Sequence, residues 1–385
     1  MASSAARIIG GIAMSRLLQA LLVSLSMVLS AAAAASQQEP QAPQVQVTPK
    51  VLAKGLHYPW SMAELPEGGW LVTERPGNLV YLNPQGQRMH IPLDLPDLYA
   101  TAQAGLFEVL LTPDFEQSRE LVLSYSCGTE QANNTCVVKA KLSPPNAAGY
   151  ALSALQNIFT ALPKKEGAAH FGARMTWLGD GSLLVALGDG FVYREQAQNL
   201  QNHLGKIVRI RRDGKVPEDN PFTHTQAPEV YSYGHRNVQG LVFDAERNKV
   251  WQHEHGPKGG DEINDIVKGG NYGWPMTTFG KDYTGALVSP YNDLPGVKAP
   301  LYQWTPSLAP AGLALYQGDL LVSHLAGKRL QRLRLVDGKW HLVAEYLVAQ
   351  QQRLRAVMVA KDGRVLVLTD STEGELWSLD LDIQQ

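Results

Sequence analysis

The sequence predicts an all-β chain folded as a six-bladed β-propeller, one domain over residues 51–385. Three observations carry that expectation. A strand–turn–strand unit recurs about six times along the chain. No long amphipathic helix stands between the units, so crossover helices are not expected and repeated sheets are. The composition, with 35 glycines, 23 prolines and only 18% charged residues, suits a turn-rich chain better than a helical one. An apolar fraction of 44% is ample for a core and excludes disorder of the main body. The near balance of 34 basic and 36 acidic residues leaves no basic excess, so no nucleic-acid partner is expected.

Each unit is an apolar strand, a turn such as Pro-Glu-Gly or Asp-Gly, and a second apolar strand. In order they lie at Trp60–Leu82, Leu106–Tyr125, Met175–Leu187, Leu241–Trp251, Leu313–Leu335 and Val357–Leu379. Their turns are spaced by about 59 residues, longer than the ~40–50 of common propeller repeats. Insertions are therefore expected, above all at 190–235 and 255–310, crowding one face and carrying function. A pair of β-sandwiches or another blade number are the alternatives.

Residues 1–35 read as a signal peptide: Arg7 and Arg16 without an acid, an almost wholly apolar run from Leu17 to Leu29, then Ala31 to Ala35. That run is short for a span of ~20 residues, so no stable membrane span is expected after cleavage. A periplasmic or secreted location follows. Residues 36–50, rich in Gln and Pro, read as a flexible N-terminal lead-in. In an oxidising compartment, Cys127 and Cys136, which flank a polar stretch between two β-rich runs, are expected to close a hairpin by a disulfide. Two free thiols are the alternative.

Four constellations carry chemistry. Trp251–Pro275 (WQHEHGPKGGDEINDIVKGGNYGWP) combines an irregular Gly-Pro backbone with Asp261, Glu262 and Asn264, all oxygen donors suited to calcium. The alternative is a turn-rich loop whose acids cap a short helix, DEINDIV. His253-Glu254-His255 lacks the spacing and third ligand of a transition-metal site. Next, Tyr233–Gly240 (YGHRNVQG) pairs Arg236, a fork for carboxylate or phosphate, with Asn237. Then Arg353 and Arg355 share one face if extended, crowding two charges that either an anionic ligand or structural salt bridges would relieve. Last, His170 precedes one strand of a hairpin and Asp189 follows the other. A carboxylate on one imidazole nitrogen leaves the other as a base, although a histidine beside a glycine is more often structural. No Gly-x-Ser-x-Gly elbow, dinucleotide fingerprint or P-loop is present.

Together, PWSMAELPEGGWLVTERPG, HFGARMTWLGDGSLLVALGD, GKIVRIRRDGKVPEDNPF, YGHRNVQG, EHGPKGGDEINDIVKGGNYGWP, WTPSLAPAG and RLRAV resemble the soluble pyrroloquinoline-quinone-dependent aldose sugar (glucose) dehydrogenases over roughly residues 50–380. The resemblance implies a quinoprotein oxidoreductase that oxidises aldose sugars at C1 to lactones by hydride transfer to pyrroloquinoline quinone, with electrons passed to an external acceptor. It implies His170 as general base and Asp189 as its orienting carboxylate. Gln103, Arg236, Asn237, Tyr283, Arg353 and Arg355 would contact the cofactor. Gly256 and Pro257 would hold a catalytic calcium by their carbonyls, and Glu262 and Tyr272 a second, structural calcium. One position departs from the family: Ala326 stands where a lysine reaches the quinone, with Lys328 and Arg329 nearby as substitutes. A calcium-dependent propeller lactonase or hydrolase, or a non-catalytic carbohydrate- or protein-binding propeller, are the competing readings.

Overall fold

Six antiparallel sheets are arranged around one axis in a computed structural model that describes residues 42–145 and 149–381. The expected leader, residues 1–35, and positions 36–41 of the lead-in lie outside the described residues. Of the remaining lead-in, β1 (Gln44–Val45) pairs in parallel with Glu345–Tyr346, and Val45 and Val47 pack on the core.

Strand β2 (Lys50–Leu56) comes before the first blade yet pairs with the last one. Blade one is β3 (Pro59–Glu64), β4 (Trp70–Glu74), β5 (Asn78–Leu82) and β6 (Arg88–Ile91). Blade two is β7 (Leu106–Leu111), β8 (Glu120–Gly128), β9 (Asn133–Leu142) and β10 (Leu152–Thr160). Blade three is β11 (Gly172–Trp177), β12 (Leu183–Leu187), β13 (Lys206–Ile210) and β14 (Val230–Tyr233). Blade four is β15 (Val238–Asp244), β16 (Lys249–Glu254), β17 (Asp261–Asp265) and β18 (Tyr302–Trp304). Blade five is β19 (Pro310–Tyr316), β20 (Asp319–His324), β21 (Leu330–Val336) and β22 (Lys339–Tyr346), with β1 on its edge. Blade six is β23 (Leu354–Val359), β24 (Val365–Thr369) and β25 (Gly374–Leu379), completed by β2. The fold is the expected six-bladed propeller, with the N-terminal strand closing the ring.

The core is divided among the joints between blades. Six hydrophobic clusters each draw on two neighbouring sheets, as where Leu65 and Leu71 of blade one meet Leu121 and Leu123 of blade two. A blade cannot bury both its faces alone, so middle strands such as β4, β12 and β24 are buried on both faces. All five residues of β12 (LLVAL) are buried. The intervening turns obey local chemistry: between β11 and β12, Asp180 Oδ1 accepts the Ser182 N–H and Gly181 takes φ +78°. The run DEINDIV is not a capping helix. Its first five residues form β17, paired on both sides inside blade four. Cys127 and Cys136 form the disulfide across β8 and β9.

Candidate active site

The inner strands β3, β7, β11, β15, β19 and β23 leave a funnel on the axis. One of its mouths opens into a cavity of about 220 Å³. His170 stands at its wall with φ +53°, just before β11. The chain leaving β12 passes close behind it: a β-carbon at Gly188 would collide with the His170 carbonyl, so glycine is required there. This approach sets His170 Nδ1 2.7 Å from Asp189 Oδ1. Asp189 has no solvent exposure, and it also accepts the Phe191 N–H and Trp274 Nε1–H, both at 2.8 Å. With its carboxylate fixed on Nδ1–H, His170 presents Nε2 as the free base. The Gln103 amide oxygen accepts the His170 main-chain N–H at 3.1 Å, and Phe191 stands edge-on to the imidazole at 5.0 Å.

Burial pulls His170 below the ordinary imidazole value, against Asp189, which favours its protonated form. Burial works to raise Asp189, yet its bonds to His170 and the charge of Arg236 leave it below the ordinary carboxylate value. The pair therefore rests as neutral imidazole and carboxylate near pH 7.

Four guanidiniums line the same cavity: Arg75, Arg236, Arg353 and Arg355, with no carboxylate among the lining residues. The Arg236 main-chain N–H donates to Glu254, which also accepts from His235 Nδ1 at 3.0 Å. His235 stacks on Tyr272 with centroids 4.8 Å apart, so the loop YGHRN is anchored from below. The side chain of Arg236 donates to the Gly256 carbonyl at 2.7 Å and reaches Tyr283 Oη at 3.4 Å. Arg353 and Arg355 flank one carboxylate, Asp370: Arg353 at 2.9 and 2.7 Å, Arg355 only at 3.4 Å. The structural salt bridges of one sequence reading are present: one acid, Asp370, tethers both cations, and both guanidiniums line the cavity. Burial, together with Arg174, Arg75 and Arg353, pulls Arg355 down to about 10, against Asp370.

Gln103, Asn237 and Tyr283 line the cavity as well, while Pro257 lines an adjoining depression beside Tyr283. Glu262 and Tyr272 lie apart from the cavity, in blade four and the loop behind it. Glu262 faces Glu254 across the β16–β17 ladder, and burial followed by that neighbour pushes its carboxyl above the ordinary range. Beside it, Asn264 donates to Glu262, while Asn264 Oδ1 is buried with no partner. The Tyr272 hydroxyl is committed to the Asp265 carbonyl and the Val267 N–H. Asp261 is fully used inside the protein, accepting from Gly256, Ser307, Leu308 and Ala309. Among the described residues, no cluster of three or more His, Cys, Asp or Glu side chains is arranged to hold a metal ion.

Sequence reasoning missed Arg75, Trp274 and Gln239. Arg75 sits in the turn segment TERPG, where a charge looks like solvent-facing decoration; its guanidinium lies 4.4 Å from the Tyr58 ring centroid. Nor does either substitute for the lysine line the cavity. Arg329 is held by Glu345 at 2.9 and 3.0 Å, Ala326 is exposed, and Leu325 is what blade five contributes.

The sequence profile described as Glucose / Sorbosone dehydrogenase matches residues 56–378. The aldose sugar dehydrogenase YliI of Escherichia coli is 36% identical over 345 residues, covering 86% of this chain and 92% of that protein. The crystal structure of the soluble aldose sugar dehydrogenase from Escherichia coli in the apo-form aligns with a TM-score of 0.82 at 36% identity, over 87% of this chain and 99% of that one. The PQQ-bound aldose sugar dehydrogenase of Streptomyces coelicolor aligns with a TM-score of 0.72 at 26% identity, over 88% and 100%. Among the described residues no helix is long and apolar enough to cross a membrane.

Proposed function

The chain belongs to the glucose/sorbosone dehydrogenase family, and from that premise we propose that it is a quinoprotein that oxidises aldose sugars at C1 to lactones, using pyrroloquinoline quinone and an external electron acceptor. The observation that carries this reading is the His170–Asp189 pair set at the wall of a cavity lined by four guanidiniums and no acid.

The donor set fits the cofactor. Pyrroloquinoline quinone carries three carboxylates on a flat ring system, and arginine forks match carboxylates with two parallel hydrogen bonds. Arg75, whose guanidinium has no ion-pair partner among the described residues, and the weakly tethered Arg355 are cations that such an anion would satisfy. Arg236 and Arg353 would complete the cradle, with Gln103 and Asn237 offering amide contacts and Tyr283 covering the mouth. Gly256 and Pro257 would offer main-chain carbonyls to a calcium ion there. The facing carboxylates Glu254 and Glu262 and the orphaned Asn264 Oδ1 fit a second cation, for which Glu262 and Tyr272 would be the ligands. When bound, the quinone supplies the two-electron acceptor for the hydrogen at sugar C1.

The chain's own part is proton management and orientation. His170 Nε2 takes the proton of the anomeric hydroxyl as C1 becomes a carbonyl carbon. Asp189 holds the imidazole in the tautomer that exposes Nε2 and stabilises the imidazolium that forms. Trp274 and the Phe191 N–H keep Asp189 in place. A positioned base of this kind contributes ~10²–10⁴-fold. The disulfide and the expected leader support a periplasmic or secreted location, where such an enzyme needs no cytosolic nicotinamide.

Reconstitution tests the reading. Protein mixed with calcium and the quinone is expected to show a bound-quinone spectrum that aldoses bleach, with lactone as product. Lactone opening without quinone would support a hydrolase, and absence of both responses would overturn the enzyme reading.

A further inference from the structure

Lys165 is 2% exposed, an unusual place for an ammonium, which is almost never fully buried unless paired. No carboxylate lies within ion-pair distance of it among the described residues. Its Nζ donates instead to Asn133 Oδ1 at 3.1 Å and to the Gly167 carbonyl at 2.9 Å, and it sits 4.0 Å from the centroid of Phe171. Its stem presses on Gly190, where a β-carbon would collide with Lys165 Cδ. Phe171 follows His170 and Gly190 follows Asp189. One side chain thus touches the ring of the residue after His170 and the backbone of the residue after Asp189. The main chain of Lys165 is itself pinned to the start of β9, exchanging N–H···O bonds with Asn133 at 2.8 Å in both directions.

An apolar side chain of the same length would fill this volume without the cost of burying a charge. The charge therefore has a use, and among the described residues Asp189 is the buried anion that acts on it. We propose that Lys165 is a positioning residue for the His170–Asp189 pair: it fixes both chain segments that carry the pair and sets a positive charge beside them, which favours carboxylate on Asp189 and neutral imidazole on His170. This rests on the reading of His170 as the base. The groups that bear on His170 are Asp189, which raises it, and Arg236 and Lys165, which lower it; His255, held at about 3 by burial, carries no charge near neutrality. Burial pulls Lys165 itself down to about 8, so its own charge fades on the alkaline side of neutrality.

The test is the titration of the His170 ring followed by NMR in the full chain without cofactor, which no failure of quinone binding can affect. In the unmodified protein the His170 signal is expected to show a second inflection on the alkaline side, from Lys165. In Lys165→Met, which keeps the stem, the acid midpoint of His170 is expected to rise by about one unit, and the second inflection to vanish. The acid limb of kcat/KM moves with it while KM for the sugar stays put, and Lys165→Arg restores the midpoint. A folded Lys165→Met protein with an unmoved midpoint would overturn the proposal. So would an unmodified protein with no alkaline inflection, which keeps the test decisive if the variant fails to fold. A failed reconstitution alongside the expected shift would sink only the dehydrogenase reading.

Discussion

Two groups of arginines lie along the propeller axis, and they differ in how their donors are used. Arg174, on β11, is 6% exposed and closes the channel below the cavity. Its Nε donates to the Gln239 carbonyl at 2.8 Å, Nη1 to Glu108 at 3.3 Å, and Nη2 to the carbonyls of Ala311 at 3.1 Å and Arg355 at 3.4 Å, while its plane covers Trp60 at 3.9 Å. Those partners belong to β15, β7, β19, β23 and β3, so one side chain on the sixth inner strand touches the inner strands of all the other blades. In the cavity above, Arg75 lies on the Tyr58 ring with no ion-pair partner among the described residues, and Arg353 and Arg355 divide one carboxylate. The contrast teaches that a buried guanidinium whose donors all end on the protein serves the fold, whereas one that lines a cavity with donors to spare is able to take an anion.

That contrast can be broken, beginning where the effect is largest. Replacing Arg174 by Met orphans the main-chain carbonyls of three blades and unpairs Glu108. Losing one partner of a buried, hydrogen-bonded charge costs about 3–5 kcal/mol, so denaturant unfolding should show destabilisation of that order. By contrast, His170→Ala should cost less stability than that, because Asp189 keeps its bonds from Phe191 and Trp274, and should leave the quinone bound. Its turnover with sugar should fall by ~10²–10⁴-fold; undiminished turnover would remove His170 from the reaction. Arg355→Gln lies between these extremes. A charged hydrogen bond contributes about 1.5–3 kcal/mol, so quinone affinity measured by calorimetry should weaken ~10–100-fold, with a smaller change in stability than at Arg174.

Acid should act on the floor as well as on the site. Burial holds His253 far below the ordinary value and His324 at about 3, and His170 is also lowered. In the unfolded chain these groups take protons as pH falls through about 6.5, whereas in the folded protein they do not. Stability is therefore full above that pH and declines below it, and melting curves should shift down steadily from pH 7 to pH 5. A flat profile would contradict the burial of these rings. The smallest effect belongs to Ala326→Lys. An exposed ion pair adds roughly 0.2–1 kcal/mol, so the quinone should bind only a few-fold more tightly. No change at all would mean that the blade-five loop points away from the ligand.

The architecture was legible because its signals are local. Apolar runs punctuated by short polar turns, several of them Asp-Gly or Pro-Glu-Gly, mark the hairpins, and middle strands such as LLVAL carry the burial of two faces. The run DEINDIV was not decidable alone, since a short apolar stretch suits a helix turn or a strand equally, and pairing with β16 and β18 decided it. Within the site, His170, Asp189, Arg236, Asn237, Arg353 and Arg355 stood in segments distinctive enough to be named. What stayed hidden depends on distant contacts. Arg174 looks like an ordinary strand residue until five other blades supply its partners. Arg75 looks like part of a turn, and Lys165 like a surface lysine until Asn133 and Gly190 close over it. The reach of Arg329 could not be judged without knowing that Glu345 already holds it.

The central claim is that the unspent guanidiniums form the cradle of a polyanionic quinone beneath His170. Crystals grown with calcium and pyrroloquinoline quinone in excess test it most directly. The account expects flat density in the axial cavity, its carboxylates on Arg75, Arg353 and Arg355, with His170 Nε2 facing it. A cavity without that density, and His170 turned away from Asp189, would contradict it.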